Sequence, residues 1–196
     1  MPSPAGPAEL LSDLAAALAA IGARWYVFGA QAALVWGRPR LTTDVDVTVK
    51  CPTSTEQLVA TLEASGFSLR IDATKTFIRS TRVVPLEHRQ SGLALDVVLA
   101  GPGLEDEFLE RAVPVEVAGT MVPFISPEDL IVTKLLAGRE KDIEDVRGVL
   151  SERVAELDVE QIRTTLRLLE AALGQSDLMP AFDAELARWR RGARDR

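Results

Sequence analysis

Cysteine and histidine are almost absent from this chain of 196 residues. Cys51 is its only cysteine and His88 its only histidine. These counts exclude an intrachain disulfide, a cysteine-based zinc site and a cluster of several histidines around a metal. Any metal that the chain binds must therefore be held by carboxylates.

Long apolar runs are also missing. No stretch approaches the roughly 20 uncharged apolar residues that a membrane helix needs, and residues 1–7 lack the basic and apolar regions of a signal peptide. We therefore expect a cytoplasmic protein that makes no membrane contact. A hydrophobic share of 47% with a charged share of 26% is ordinary for a soluble protein with a sizeable core.

A net basic charge is the third absence, because the formal net charge is −7. This balance gives no general attraction to nucleic acid, although basic residues in the first half could gather into a local basic surface. They are Arg38, Arg40, Lys50, Arg70, Lys75, Arg79 and Arg82. The charge distribution therefore neither supports nor excludes RNA as a substrate.

Hydrophobic periodicity predicts an α/β (α+β) first part, residues 1–125, and a helical second part, residues 126–196. Pro85 indicates an edge strand or a bulge, and Ser126 the cap of a helix. The predicted helices are 8–21, 30–36, 54–65 and 104–111, one that starts at Ser126, and others near 141–151, 158–173 and 177–191. The predicted strands are 25–29, 44–49, 67–71, 77–88 and 93–100, followed by a hairpin within 114–125.

The segment DVDVTV alternates polar and β-branched residues, which is typical of a strand with one buried face. Asp44 and Asp46 therefore share one face and form half of a divalent-metal site, since Mg²⁺ takes oxygen ligands. Asp96 lies in the apolar segment LALDVVLA, and a neighbouring strand could bring it beside the pair. The alternative is that the pair lines a wet sheet face and that Asp96 ends a strand.

A glycine turn and a short helix precede the acid pair. Gly29 would let the backbone approach a phosphate closely, and the N-terminus of the following helix offers free N–H donors. Arg40 and Thr43, just before the pair, are further candidates for nucleotide contact. Arg40 could equally be a solubilising residue near a loop.

This arrangement resembles the nucleotidyltransferase superfamily related to DNA polymerase beta. The matching residues are Gly29-Ala30, Asp44-Val45-Asp46 and Asp96, and Ala30 stands where the family has glycine or serine. The resemblance implies a mixed sheet flanked by helices, with residues 1–125 as catalytic core. It also implies Mg²⁺ or Mn²⁺ on the three aspartates and a nucleoside triphosphate as substrate.

A second stretch, residues 126–146, resembles the helical region of AbiEii-type and MenT-like toxins. That resemblance implies a catalytic Lys134 that contacts the triphosphate, and a later acid at Asp142 or at Asp145. Arg139 and Lys141 would join them in nucleotide binding. The alternatives are a surface lysine and an ordinary solvated, charged helix start.

The resemblances together predict transfer of a nucleoside monophosphate to an acceptor hydroxyl. The acceptor would be RNA, such as a tRNA 3′ end, or a protein, and a toxin of this kind would have a cognate antitoxin as partner. Two alternatives stay open: a small-molecule (antibiotic) nucleotidyltransferase and a non-catalytic nucleotide-binding or partner-binding module on the same fold. A purely structural scaffold is a third reading.

Overall fold

The computed structural model describes residues 6–39, 42–70 and 75–194 and forms two compact units. The first unit comprises residues 1–31 and 41–125, and the second unit comprises residues 32–40 and 126–196. Within the described ranges, no helix has the length and apolar character that crossing a membrane requires.

The first unit is built on a mixed sheet, as the sequence predicted. Its strands are β1 Arg24–Phe28, β2 Asp44–Lys50, β3 Phe67–Leu69, β4 Val83–His88, β5 Ala94–Leu99, β6 Val113–Val117 and β7 Thr120–Phe124. They lie in the order β3-β4-β5-β2-β1-β7-β6. The pairs β2–β5 and β1–β7 are parallel and the other pairs are antiparallel.

Helices accompany this sheet. They are α1 Pro7–Ala20, α2 Gly29–Trp36, α3 Thr55–Ala64, α4 Lys75–Thr81 and α5 Leu104–Arg111. Among these, α1 contacts β7 and α3, and α3 contacts β3. Fully buried aliphatic side chains of the sheet and of α1 and α3 form the core, including Leu10, Leu14, Val27, Val47, Leu58, Leu62, Leu86 and Val97. Burial of this apolar surface is the main force that holds the unit together.

The predicted strand over residues 77–88 is wrong in its first half. The segment KTFIRST forms α4, and the chain leaves that helix at Arg82, whose φ of 57° is left-handed. Threonine, phenylalanine and isoleucine favour strands intrinsically, but tertiary packing overrides such preferences. Here the helical turn buries Ile78, which is 9% exposed.

Pro85 does not mark a sheet edge, because β4 pairs with β3 on one side and with β5 on the other. Its carbonyl oxygen accepts a hydrogen bond from the Arg70 amide at 3.1 Å, on the β3 side. The N–H and C=O of one strand residue point to the same neighbour, so the missing N–H of Pro85 also faces β3. Since β3 ends at Leu69, the missing donor falls where that short ladder stops.

The second unit is helical. Its helices are α6 Pro127–Ala137, α7 Glu140–Arg153, α8 Val159–Leu173 and α9 Leu178–Arg194, together with residues 32–36 of α2. The predicted cap is confirmed, because the Ser126 hydroxyl accepts a hydrogen bond from the Asp129 amide at 3.1 Å. At the other end of α6, Gly138 adopts a left-handed conformation that favours glycine.

Candidate active site

Asp44 and Asp46 are the first and third residues of β2. They lie on one face, while Val45 and Val47 on the other face are buried in the core. Asp44 is exposed and Asp46 is half-buried. The hydroxyl of Thr42 donates to an oxygen of Asp44 at 2.6 Å, which fixes one side of that carboxylate.

Asp96 lies beside this pair. In the parallel pairing of β2 with β5, Asp46 is in register with Asp96, whereas Asp44 is opposite Ala94. Residues in register on neighbouring strands point to the same face, so Asp44, Asp46 and Asp96 share one side of the sheet. We call these three residues the carboxylate face.

Gly29 is shaped by its contact with Asp46. It has a φ of 65° and begins α2, directly after Phe28, the partner of Asp46 across β1 and β2. A Cβ added at position 29 would lie 2.2 Å from the Asp46 Oδ2 atom, a separation that no side chain tolerates. The sequence suggested glycine here for its approach to phosphate. The structure adds a second reason, which is room for a carboxylate.

Ala30 follows Gly29 in sequence and Thr43 precedes Asp44, and the two residues differ in exposure. Ala30 is buried, at 7% exposure, so its methyl group packs inside the fold. Thr43 is exposed next to Asp44. Arg40, which the sequence also suggested as a phosphate contact, lies outside the described residues.

Arg70 is a member of this site that sequence reasoning placed only in a general basic surface. Its guanidinium forms an ion pair with the Asp96 carboxylate, and both side chains are about one-third exposed, at 34% and 35%. The two residues are 26 positions apart in sequence. They meet because the strand order places β3 and β5 on either side of β4, and the long Arg70 side chain spans that distance. Nothing short of the strand order and register could have revealed this contact.

The donor chemistry of the carboxylate face fits a hard divalent cation, because all three groups supply oxygen and share one face. As they stand, the residues that the structure describes contain no group of three or more histidine, cysteine or acidic side chains positioned to hold a metal ion. In the same site, the Thr42 hydroxyl contacts Asp44 and the Arg70 guanidinium contacts Asp96. A cation bound at the Asp96 Oδ1 atom would compete with the Arg70 contact.

Lys134, Asp142 and Asp145 lie in the second unit and are nearly inaccessible. Lys134 is 5% exposed, and its Nζ atom lies 2.7 Å from Asp145 and 3.2 Å from Asp142. Asp142 is fully buried and also accepts hydrogen bonds from the Arg139 guanidinium at 2.5 and 3.1 Å. We call Lys134, Arg139, Asp142 and Asp145 the buried ion cluster.

Pairing with positive charges determines the ionisation of Asp142 in the buried ion cluster. Burial opposes ionisation of Asp142, but hydrogen bonds from Arg139 and Lys134 outweigh it and hold the Asp142 pKa below its ordinary value. The Arg139 side chain is 62% exposed, and Lys141 is exposed at the start of α7. Lys134 is therefore neither a surface lysine nor free for an incoming phosphate in this conformation. Its contact with a triphosphate stays a prediction.

The sequence identifies the family to which these features point. Residues 11–175 match the family described as "Nucleotidyltransferase of unknown function (DUF6036)". The chain belongs to this family. A search of curated proteins gave no match to this family member.

Solved structures extend the likeness of this family member. The antibiotic-resistance factor ANT(2'')-Ia, in solution, has a TM-score of 0.57 at 22% identity and covers 85% of this chain and 94% of its own. The lincosamide antibiotic adenylyltransferase LnuA, with lincomycin bound, has a TM-score of 0.51 at 15% identity over 75% and 98%. At such low identities, both show a shared fold and nothing finer.

A toxin is also among the solved structures that match this chain. MenT4, a nucleotidyltransferase toxin from Mycobacterium tuberculosis H37Rv, has 17% identity over 83% of this chain and 64% of its own. Its TM-score of 0.38 is too low to carry an argument about this chain.

Proposed function

We propose that this protein transfers a nucleoside monophosphate from a nucleoside triphosphate to an acceptor hydroxyl. The observation that carries the proposal is that Asp44, Asp46 and Asp96 lie on one face of the sheet, on β2 and β5. Gly29 packs against Asp46 beside them. Membership in a nucleotidyltransferase family supports the reaction class. Residues 1–125 would then hold the catalytic core and residues 126–196 a helical accessory region.

The carboxylate face would hold Mg²⁺ or Mn²⁺. When bound, these cations neutralise phosphate charge and stabilise the attacking and leaving oxygens of the displacement. Asp44 and Asp46 would hold the cations, and Asp96 would accept the proton of the acceptor hydroxyl. The acceptor oxygen forms a bond to the α-phosphorus, and the bond from that phosphorus to pyrophosphate breaks.

The N-terminus of α2 offers backbone donors for phosphate oxygens. This eight-residue helix starts at Gly29, beside Asp46, so its first N–H groups lie next to the carboxylate face. Free N–H groups and the helix dipole both favour negative charge at this end. A role of the buried ion cluster in nucleotide binding rests on the toxin resemblance alone.

The acceptor that we propose is RNA, such as a tRNA 3′ end, or a protein, with a cognate antitoxin as partner of the toxin. This choice also rests on the toxin resemblance of residues 126–146. ANT(2'')-Ia is an antibiotic-resistance factor, and LnuA is a lincosamide antibiotic adenylyltransferase. Small-molecule hydroxyls therefore belong in the test as a competing outcome.

The test is incubation with each α-labelled nucleoside triphosphate and Mg²⁺, with total bacterial RNA, cell lysate protein, an aminoglycoside or a lincosamide as acceptor. Asp46→Asn removes a proposed cation ligand, and Glu116→Gln, at an exposed position of β6, is the matched control. We expect label transfer by wild type and Glu116→Gln and a loss of about 1,000-fold in Asp46→Asn, as for removal of several kcal/mol of transition-state stabilisation.

The acceptor that takes up label identifies the substrate class. Equal transfer by Asp46→Asn and Glu116→Gln would contradict the assignment of the carboxylate face. Tight nucleotide binding without transfer to any acceptor would instead identify a non-catalytic nucleotide-binding module.

A further inference from the structure

Arg70 reaches the carboxylate face from two strands away. Its amide donates to the Pro85 carbonyl on β4, and Pro85 is in register with Asp96 on β5. Asp96 is in turn in register with Asp46 on β2. Arg70, Pro85, Asp96 and Asp46 thus form a row across the sheet.

Pro85 lies between Arg70 and Asp96 in this row. Strands are spaced by about 4.8 Å, so the Cα atoms of Arg70 and Asp96 are separated by roughly 10 Å, which needs a long side chain. Pro85 is buried although it shares the row with half-exposed residues. A short proline ring at this position leaves room for the arginine stem, whose apolar carbons can lie along it.

Arg70 supplies positive charge where negative charge accumulates. Asp96 shares its face with Asp46 and Asp44, and neighbouring carboxylates repel one another unless a cation or a proton intervenes. The Arg70 guanidinium contacts Asp96 directly. It therefore occupies the Oδ1 atom of Asp96, one of the two carboxylate oxygens that a divalent cation could use.

We propose that Arg70 is a built-in counter-ion of Asp96 that competes with the divalent cation and so sets the metal affinity of the carboxylate face. The inference rests on the proposed function, since it requires the cation to bind these aspartates. Arg70 acts through Asp96 and is a positioning residue. Cation binding exchanges one Asp96 ion pair for another, with the guanidinium released toward solvent.

The experiment measures Mn²⁺ affinity by electron paramagnetic resonance and by calorimetry, in the absence of nucleotide. Arg70→Gln removes the charge but keeps a polar side chain, and Arg70→Lys keeps the charge. Arg79→Gln removes an equal charge from the exposed side of α4 in the same unit. Thermal unfolding of each variant checks the fold.

We expect Arg70→Gln to bind Mn²⁺ roughly tenfold more tightly than wild type, because a competing positive charge is gone. Arg70→Lys should stay near wild type, and so should Arg79→Gln. A merely structural role would lower the affinity or leave it unchanged, so the sign of the effect decides. An Mn²⁺ affinity of Arg70→Gln that equals that of Arg79→Gln, or that is lower than that of wild type, would overturn the inference.

Asp46→Asn separates this inference from the proposed function. Mn²⁺ binding that depends on Asp46 but does not respond to Arg70→Gln overturns the counter-ion role alone. Mn²⁺ binding that is unchanged by Asp46→Asn overturns both the counter-ion role and the proposed function. Absence of Mn²⁺ binding in wild type and in Arg70→Gln alike overturns both as well. Binding that appears in Arg70→Gln and is undetectable in wild type supports the counter-ion role in its strongest form.

Discussion

Asp46 and Asp142 are both carboxylates that the sequence assigned to the active site, yet their surroundings are opposite. Asp46 is half-buried on a sheet face that it shares with two other acids. Asp142 is fully buried and is paired with Lys134 and Arg139. Acids gathered on one accessible face are suited to take up a ligand, whereas buried and neutralised acids hold helices together.

The energetics of the two groups follow from this difference. A buried ion pair contributes little compared with an apolar pair of the same shape, but the loss of one partner leaves an uncompensated buried charge. The carboxylate face has the reverse property, because removing one acid also removes repulsion. Substitutions in the two groups should therefore affect different quantities.

The largest effect on stability is expected from Lys134→Ala. It leaves Asp142 and Asp145 buried without their shared cation, which should lower the free energy of unfolding by about 3 to 5 kcal/mol. Lys141→Ala, at the exposed start of α7, is the matched control and should change little. Denaturant unfolding followed by circular dichroism measures both variants. Equal midpoints would show that the buried ion cluster does not stabilise the fold.

Gly29→Ala should produce the next largest effect, which is a loss of transfer activity. The added methyl group would push Asp46 aside, and we expect a loss of roughly 100-fold in transfer, equivalent to about 2.7 kcal/mol. Gly22→Ala is a close control, because Gly22 has a φ of 64° and open space around its Cβ position. Both variants carry similar left-handed strain, so only the contact with Asp46 differs.

Transfer and thermal unfolding are measured side by side for these two glycine variants. A similar loss of stability with very different activity supports the contact. Equal activity in Gly22→Ala and Gly29→Ala would mean that the position of Asp46 is unimportant for the reaction.

The smallest effect is a change in pH dependence. The Asp142 pKa is held below its unfolded value of about 3.9, so its contribution to stability is complete above that pH and is lost as the pH falls through the folded pKa. Thermal unfolding between pH 6 and pH 3 should show this loss in wild type. In Asp142→Asn the loss of stability in acid should be smaller than in wild type, because the titrating group is gone.

Glu144→Gln, an exposed position on α7, is the control for this series and should keep the wild-type pH profile. Identical acid profiles in Asp142→Asn and wild type would show that pairing in the buried ion cluster does not shift the Asp142 titration. The result would also remove the contrast with Asp46.

The sequence allowed the facing of Asp44 and Asp46 to be predicted because their spacing of two residues fixes it locally. The partner of Asp46 could not be predicted in the same way, since the register of β2 with β5 depends on the whole sheet. The same holds for Arg70, which meets Asp96 only across β4. Local patterns also misled at residues 77–81, where tertiary packing outweighed strand preference.

Lys134 illustrates a further limit of sequence reasoning. Its place among leucines and isoleucines was visible, and so was the charged run that follows it. Whether its amine faces solvent, a phosphate or Asp145 depends on how α7 packs against α6. In the structure both acids that the sequence offered as alternatives, Asp142 and Asp145, contact the lysine.

The two outer strands of the sheet limit how this protein can associate with others. At one edge β3 has only three residues, and at the other edge β6 carries an exposed Pro114 and Glu116. Short strands, prolines and charges make poor templates for an added strand. We therefore expect a protein partner to recognise side-chain surfaces, and not to extend the sheet by backbone pairing.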